Sequence, residues 1–408
     1  MSEDWTVERL GDVIVPCGTI DPTKEPDRLF RYIDVSSVSN ETFEIVEAQT
    51  IQGREAPSRA RRLVRSGDVI FATIRPTLKR IAVVPPELDG EVCSTGYFVF
   101  RPHRHLDGKF LYYYLFTDGF LGAMEALQTG ASYPAVNDAQ VKDQKIVFPS
   151  LPEQKRIVAI LDEAFAGIAA ATANAEKNLA NARELFNGGL EDAFSETKAG
   201  RKLVTLTELT TDITDGDHMP PPKSPTGVPF ITISNIHKGT NTIDFSDTFK
   251  VPRVYFDNLK PNKKPQLGDV LYTVTGSFGI PVIVQDSTEF CFQRHIGLVR
   301  PKRGVDSKWL YYALLSPPAF KQAADGATGT AQKTVSLKVL RSLQLPDIPL
   351  AEQVAMTSRL DALYARTKSL ESVYTEKLAS ILDLKQTLLQ KAFTGELTGA
   401  KNRHSEAA

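Results

Sequence analysis

The sequence predicts an α+β chain built as a tandem duplication, each copy a mixed, β-rich domain followed by a long helix, with the two long helices pairing as an antiparallel coiled coil. Three observations predict it. The phrase PSLPEQKRIVAILD at 149–162 returns as IPLAEQVAMTSRLD at 348–361, placing Glu153-Gln154 and Glu352-Gln353 199 positions apart. Short runs rich in Val, Ile, Phe, Tyr and Thr, punctuated by Gly and Pro, fill the stretch before each phrase. A heptad pattern of apolar residues follows each phrase.

The offset of 199 recurs widely. Arg101-Pro102 matches Arg300-Pro301, Leu111-Tyr112-Tyr113 matches Leu310-Tyr311-Tyr312, Thr129-Gly130 matches Thr328-Gly329, and Ala193-Phe194 matches Ala392-Phe393. Upstream the offset drifts by a residue or two, as loops allow. Gly67-Asp68-Val69 matches Gly268-Asp269-Val270, and Tyr32-Ile33-Asp34-Val35-Ser36 matches Phe230-Ile231-Thr232-Ile233-Ser234. A repeat of this length is a domain duplication rather than a solenoid unit. The boundaries it implies are domains over 1–150 and 200–349, long helices over 151–199 and 350–397, and a tail over 398–408.

Within each copy the elements follow in order. GDVIFATI (67–74) and GDVLYTV (268–274) read as strands, IAVVPP (81–86) and PVIVQD (281–286) as their return strands, and GYFVFRP (96–102) and HIGLVRP (295–301) as further strands closed by Pro. KFLYYYLF (109–116) and KWLYYALL (308–315) read as a short aromatic helix. A loop-like region follows, with Gly130 in one copy and Gly326 and Gly329 in the other. Pro152 then sits where a first helical turn tolerates it. Leu161, Phe165, Ile168, Leu179 and Phe186 define the seam of the first long helix. Leu360, Leu363, Leu370, Tyr374, Ile381, Leu384 and Leu388, in series that also pass through Thr367 and Lys377, define the second. A helix of about 40 residues, roughly 60 Å at 1.5 Å per residue, cannot bury such a stripe on itself. The alanines of the first helix (Ala164, Ala166, Ala169, Ala170, Ala171, Ala173, Ala175) would let two helix axes approach closely.

Composition narrows the function. With 408 residues, 42% hydrophobic and 24% charged, the chain is an ordinary multidomain protein without an apolar run near 18 residues. Its N-terminus, MSEDWTVERL, is unlike a signal peptide. Cys17, Cys93 and Cys291 are scattered and form no CxxC pair, which argues against a disulfide framework or structural zinc and for a cytoplasmic setting. No metal site is expected. DITDGDH (212–218) gathers Asp212, Asp215, Asp217 and His218 but lacks the glycine and distal glutamate of a calcium loop, and reads as a turn. The run Pro220-Pro221-Pro222-Lys223 lacks the acidic and aromatic residues of an amino-methyltransferase motif. GATGTAQKT (326–334) has no glycine directly before Lys333, so it is not a phosphate-binding loop. The chain carries no catalytic constellation, so a recognition or scaffold role is expected rather than an enzymatic one.

The net charge of −1 does not announce a polyanion binder. Only residues 201–349 are basic by more than one charge, with 18 Lys and Arg against 13 Asp and Glu. Local clusters do exist. The first copy offers Arg59, Arg61 and Arg62, then Arg75, Thr77, Lys79 and Arg80 between two strands. The second offers Ser234, Asn235, Thr275, Ser277, Phe278 and Arg294, with Thr328, Thr330, Gln332 and Lys333 in the glycine loop. Arg and Lys neutralise phosphate or read guanine, Asn and Gln read adenine, and hydroxyls serve either. Singly these are ordinary surface residues. As a set, equivalent loops carrying different side chains suit two domains of one backbone plan reading two different sequences.

LPEQKRIVAILD (151–162), LAEQVAMTSRLD (350–361), LLQKAFTGELTG (388–399) and the paired GDVIF (67–71) and GDVLY (268–272) together resemble the specificity subunits of type I restriction–modification systems. EDAFSET (191–197) and SYPAV (132–136) depart from the pattern. The resemblance implies that each β-rich part is a target recognition domain entering the major groove of double-stranded DNA. The long helices would set the spacing of a bipartite, asymmetric target and dock two modification subunits carrying S-adenosylmethionine. Two restriction subunits would add ATP- and Mg-dependent translocation and cleavage. No cofactor would bind this chain itself. A non-DNA coiled-coil scaffold carrying two β modules is the alternative.

Overall fold

The computed structural model describes residues 5–198, 200–219, 221–330 and 332–399. Pro220 of the proline run and residues 400–408 of the expected tail lie outside them. The chain divides into two compact units. One joins the residues up to Ala175 with those from Glu376 onward, and the other is Glu176–Thr375. Both long helices, Leu151–Lys198 and Leu350–Thr394, are therefore shared between the units.

In the first unit the GDVIF run forms the strand Val69–Ala72. It pairs antiparallel with Ile81–Val83 on one side and Tyr97–Pro102 on the other, Val69 facing Val83 and Phe100. Ile14–Val15 adds an outer edge. All four residues of Val69–Ala72 are buried because both faces of the sheet are covered. Val69 and Phe71 face the helical core, whereas Ile70 and Ala72 face a second core with Val99 and Tyr97. A second sheet orders Gln49–Gln52, Leu29–Ile33, Val92–Ser94 and Ala60–Leu63, with its inner pair parallel.

The second unit repeats the plan. Thr210–Asp215, Ile296–Pro301, Val270–Thr273 and Pro281–Ile283 form the four-stranded sheet. Phe249–Val251, Val228–Ile231 and Cys291–Phe292 form the second, again with one parallel pair. Val270 and Tyr272 face the helical core, Leu271 the other.

The repeated dipeptides are explained by buried polar contacts. Asp68, of Gly-Asp, takes Arg101, of Arg-Pro, in a two-pronged ion pair (2.9 and 2.6 Å) and accepts from the Arg65 N–H at 2.8 Å. Asp269 takes Arg300 in the same way (2.9 and 2.8 Å) and accepts from the Gln266 N–H at 2.8 Å. Both aspartates are buried, and the hydrogen bonds they accept hold Arg101 and Arg300 above the ordinary guanidinium pKa. Gln154 is wholly buried. Its Nε2 donates to the carbonyls of His105 (3.0 Å) and Pro149 (2.9 Å), and its Oε1 accepts from Asp107 N (2.8 Å). Gln353 repeats this with Ile348 O (2.9 Å) and Asp306 N (2.8 Å). Each glutamine thus fastens the start of a long helix to the aromatic helix of its own copy. Two turns further on, Asp162 accepts from Tyr113 (2.6 Å) and Lys109 (2.7 Å), and Asp361 from Tyr312 (2.7 Å) and Lys308 (2.6 Å). Burial, then these carboxylates, push both tyrosines far above the ordinary phenol range.

The region after the aromatic helix, expected as loop, contains a second helix: Asp118–Leu127 in one unit and Pro317–Asp325 in the other. Thr117 and Ser316 cap these helices, and Phe120, Met124, Ala319 and Ala323 bury their inner faces.

The long helices pack antiparallel in each unit. In the first, Ile157, Val158 and Leu161 share a core with Leu389 and Ala392, and the Phe393 ring lies tilted against Phe110, the centroids 4.9 Å apart. In the second, Leu190 and Phe194 share a core with Leu360, and Phe186 lies 5.2 Å from Tyr364. Phe165, Ile168, Leu179, Leu363, Leu370, Tyr374, Ile381 and Leu388 are half-buried along the helices. The expected seam fails at Leu384, which is 49% exposed, and at Lys377, which is also exposed. Lys385 stands in its place, its ammonium 5.2 Å from the Phe43 ring and 5.3 Å from Phe165. The cause is helical drift: 3.6 residues per turn falls behind a strict heptad by about 20° per repeat, so the buried stripe moves from 363 and 370 toward 378 and 385. Burial and the neighbouring Lys79 lower the pKa of Lys385.

By length and composition, Leu151–Ser195 contains a stretch apolar enough to cross a membrane, contrary to expectation. Its hydropathy comes largely from alanine, and its large apolar side chains Ile157, Leu161, Leu190 and Phe194 are packed in the two cores.

Candidate nucleic-acid interface

In each unit the hairpin loop of the central strands is sewn to the glycine loop by the same backbone bonds. In the first unit Thr73 N donates to Gly96 O (2.9 Å), Val136 N to Thr73 O (3.0 Å) and Arg75 N to Pro134 O (2.7 Å). In the second, Val274 N donates to His295 O (2.9 Å), Val335 N to Val274 O (2.8 Å) and Gly276 N to Lys333 O (3.0 Å). The glycine loops close on themselves through paired bonds, Thr129 with Ala135 and Thr328 with Thr334. Gly130 (φ 106°) and Gly329 (φ 104°) make this possible. A Cβ at Gly329 would lie 2.4 Å from Gln332 O, and one at Gly130 3.0 Å from Tyr133 O. Sequence positions more than 50 apart therefore present one surface.

The side chains on that surface differ between the units. In the first, Arg75, Thr77 and Lys79 are exposed, together with Tyr133, while Arg59 is exposed on the separate turn before Ala60–Leu63. Arg75 (φ 50°) and Lys79 (φ 53°) both hold left-handed backbone, a conformation costing a non-glycine residue about 1–2 kcal/mol. The guanidinium of Arg75 stands 4.9 Å over the Tyr133 ring and donates to Ser132 O at 3.3 Å. In the second unit, Ser234, Ser277, Arg294, Thr328, Thr330, Gln332 and Lys333 are exposed and Thr275 is half-buried. Asp215, His218, Thr275, Arg294, His295, Gln332, Thr334 and Ser336 line a cleft of about 390 Å³. Burial and the adjacent Arg294 lower the His295 pKa, favouring the neutral ring. Its Nε2 then accepts from Arg294 Nε at 3.2 Å.

Five candidates are engaged within the fold instead. Arg62 donates to both carboxylate oxygens of Asp138 (3.0 and 2.8 Å), and Arg61 donates to Ala60 O (3.0 Å) and pairs with Asp21. Arg80 donates to Val35 O at 2.6 Å. Asn235 is buried, accepts from Thr232 N (2.9 Å) and donates to Asp247 O (2.9 Å). Phe278 stacks on Phe320, the ring centroids 5.5 Å apart. Of the DITDGDH cluster, Asp215 pairs with His218 (2.9 Å), and Asp217 accepts from Tyr255 and Lys263. Tyr133 is a surface residue that the sequence reading missed, and half-buried His295, which leads into a strand with Gln293 and Arg294, joins Arg294 in the cleft. The signal for Tyr133 was present: it lies 199 positions before Gln332.

The type I restriction modification DNA specificity domain matches the chain twice, over residues 2–179 and 208–379. The chain belongs to this family. This specificity-family chain is 25% identical over 329 residues to the EcoKI specificity subunit of Escherichia coli (strain K12), covering 75% of this chain and 69% of that protein. It is 23% identical over 316 residues to the Escherichia coli EcoBI specificity subunit, covering 71% of this chain and 66% of that protein, just under two thirds of the relative's length. Its fold is similar to the crystal structure of the HsdS subunit from Thermoanaerobacter tengcongensis, with a TM-score of 0.70 at 31% identity over 97% of this chain and 98% of that one. A chain solved in a study of complex assembly and conformational transition of the type I R-M system gives a TM-score of 0.85 at 31% identity, over 97% and 99% of the two chains.

Proposed function

We propose that this specificity-family chain is the non-catalytic, sequence-reading subunit of a type I restriction–modification assembly. Residues 1–150 and 200–349 act as target recognition domains. Each reads one short element of a bipartite, asymmetric duplex target, and the helices over 151–199 and 350–397 fix the spacer and dock two modification subunits. Methyl transfer from S-adenosylmethionine to adenine belongs to those subunits, and ATP- and Mg-dependent cleavage to restriction subunits where these are present. One observation carries the reading: two loop surfaces with the same backbone bonding present different polar side chains, Arg75, Lys79 and Tyr133 against Thr275, Arg294 and Gln332. Shared backbone with exchanged donors and acceptors suits two half-sites of different sequence.

Mapping methylated adenines across the host genome with and without this gene tests the proposal. Loss of one split motif, and of that motif alone, is expected on deletion. Survival of every motif would refute it. Binding of the assembled complex to duplex DNA should weaken steeply with salt, and salt-independent binding would favour the scaffold alternative. Whole heptads inserted into both helices should lengthen the spacer and leave both half-elements unchanged.

A further inference from the structure

The two units differ most sharply at one pair of equivalent positions. Arg75 and Gly276 each donate the same backbone bond to the glycine loop, to Pro134 O and Lys333 O respectively. Both have left-handed backbone, φ 50° and φ 70°. Their partners across the loop, Tyr133 and Gln332, are 199 positions apart and both exposed. In the first unit the long side chain is on the hairpin: Arg75 rests on the Tyr133 ring and is pinned to Ser132 O. In the second unit the hairpin has no side chain at this position, and Gln332 reaches across from the glycine loop. A Cβ on Gly276 would lie 3.0 Å from Gln332 Nε2, so the glutamine amide stands over the place where the arginine side chain begins in the first unit.

We infer that this couple is the specificity-determining position of each unit, Arg75 selecting a guanine in one half-element and Gln332 an adenine in the other. The inference rests on the proposed DNA-reading role. Guanidinium offers two parallel N–H donors matched to guanine O6 and N7, and a carboxamide offers the donor and acceptor matched to adenine N7 and N6. Stacking on Tyr133 fixes the plane of the arginine fork before DNA arrives, and holding Ser132 O uses one of its five N–H donors. The other first-unit cations of the set are less suited. Arg61, Arg62 and Arg80 are bonded within the fold, Arg59 lies in the turn before Ala60–Leu63 rather than on the hairpin, and Lys79 carries a point charge without a planar fork.

The test uses the full chain assembled with its modification subunits, methylating a random-sequence duplex library whose modified sites are read by sequencing. Arg75→Gln should reduce selection for guanine at one position of one half-element by about 10- to 100-fold, leaving the other half-element as in wild type. Gln332→Ala should relax an adenine in the other half-element only. The unaltered half-element in each variant reports that the chain is folded and assembled. An unchanged motif, or a uniform fall in methylation with no position relaxed, would overturn the inference while leaving the DNA-reading role standing. A wild-type complex that yields no split motif would overturn both.

Discussion

The two units share their internal bonds and differ in their exposed loops. Asp68–Arg101 and Asp269–Arg300, Gln154 and Gln353, and Tyr113–Asp162 and Tyr312–Asp361 are the same contacts made twice. Arg75 with Tyr133, against Gly276 with Gln332, is one site made in two ways. Polar groups buried in the fold must find their partners or cost stability, so they repeat after duplication. Groups facing water carry no such constraint and can diverge, provided the backbone bonds between the two loops are kept.

The comparison can be broken at its most buried point. Asp68→Ala and Asp269→Ala each remove the two-pronged partner of a largely buried arginine, and each should cost about 3–5 kcal/mol, although Arg300 keeps Asp212 at 4.0 Å. Urea unfolding should give similar losses for the two, and a twofold disparity would show that the units are not energetically equivalent. Gln154→Leu should follow, at roughly 2–4 kcal/mol, because it abandons two carbonyls and one amide, and Gln353→Leu should cost less because it abandons one carbonyl and one amide. Tyr113→Phe and Tyr312→Phe should each cost about 1 kcal/mol, since their carboxylate partners keep a lysine and are partly solvated. The smallest effect sharpens the comparison along the helices. Gly167→Ala and Gly188→Ala, where a Cβ meets open space, should each gain up to about 1 kcal/mol. Gly189→Ala should forgo that gain, because its Cβ would lie 2.3 Å from Leu363 Cδ2. Thermal melts of the three variants would check this.

Much of the fold was legible because it is local or periodic. The GDVIF and GDVLY strands announce themselves by composition, and the long helices by their heptads. Contacts between distant residues were not legible. Arg62 and Arg80 read as surface charges in the sequence, yet one finds Asp138 76 positions away and the other the Val35 carbonyl 45 positions back. The helix Asp118–Leu127 was hidden by its two glycines, Gly119 and Gly122, which hold helical backbone despite low propensity because Phe120 and Met124 are buried. Leu384 misled because a strict heptad extrapolated over many turns outruns the true helical period. Tyr133 was overlooked because SYPAV looks unlike AQKTV, although the 199-residue offset aligns the two loops and their shared backbone bonding makes the match explicit.

The first unit takes Leu389, Ala392, Phe393 and Leu397 into its own core. During synthesis, then, residues 5–175 wait for residues 389–397 before the interior of the first unit can close. The second unit draws on residues 176–375 alone and is complete earlier. A premature stop between residues 376 and 388 would damage the first-made unit and spare the residues of the second.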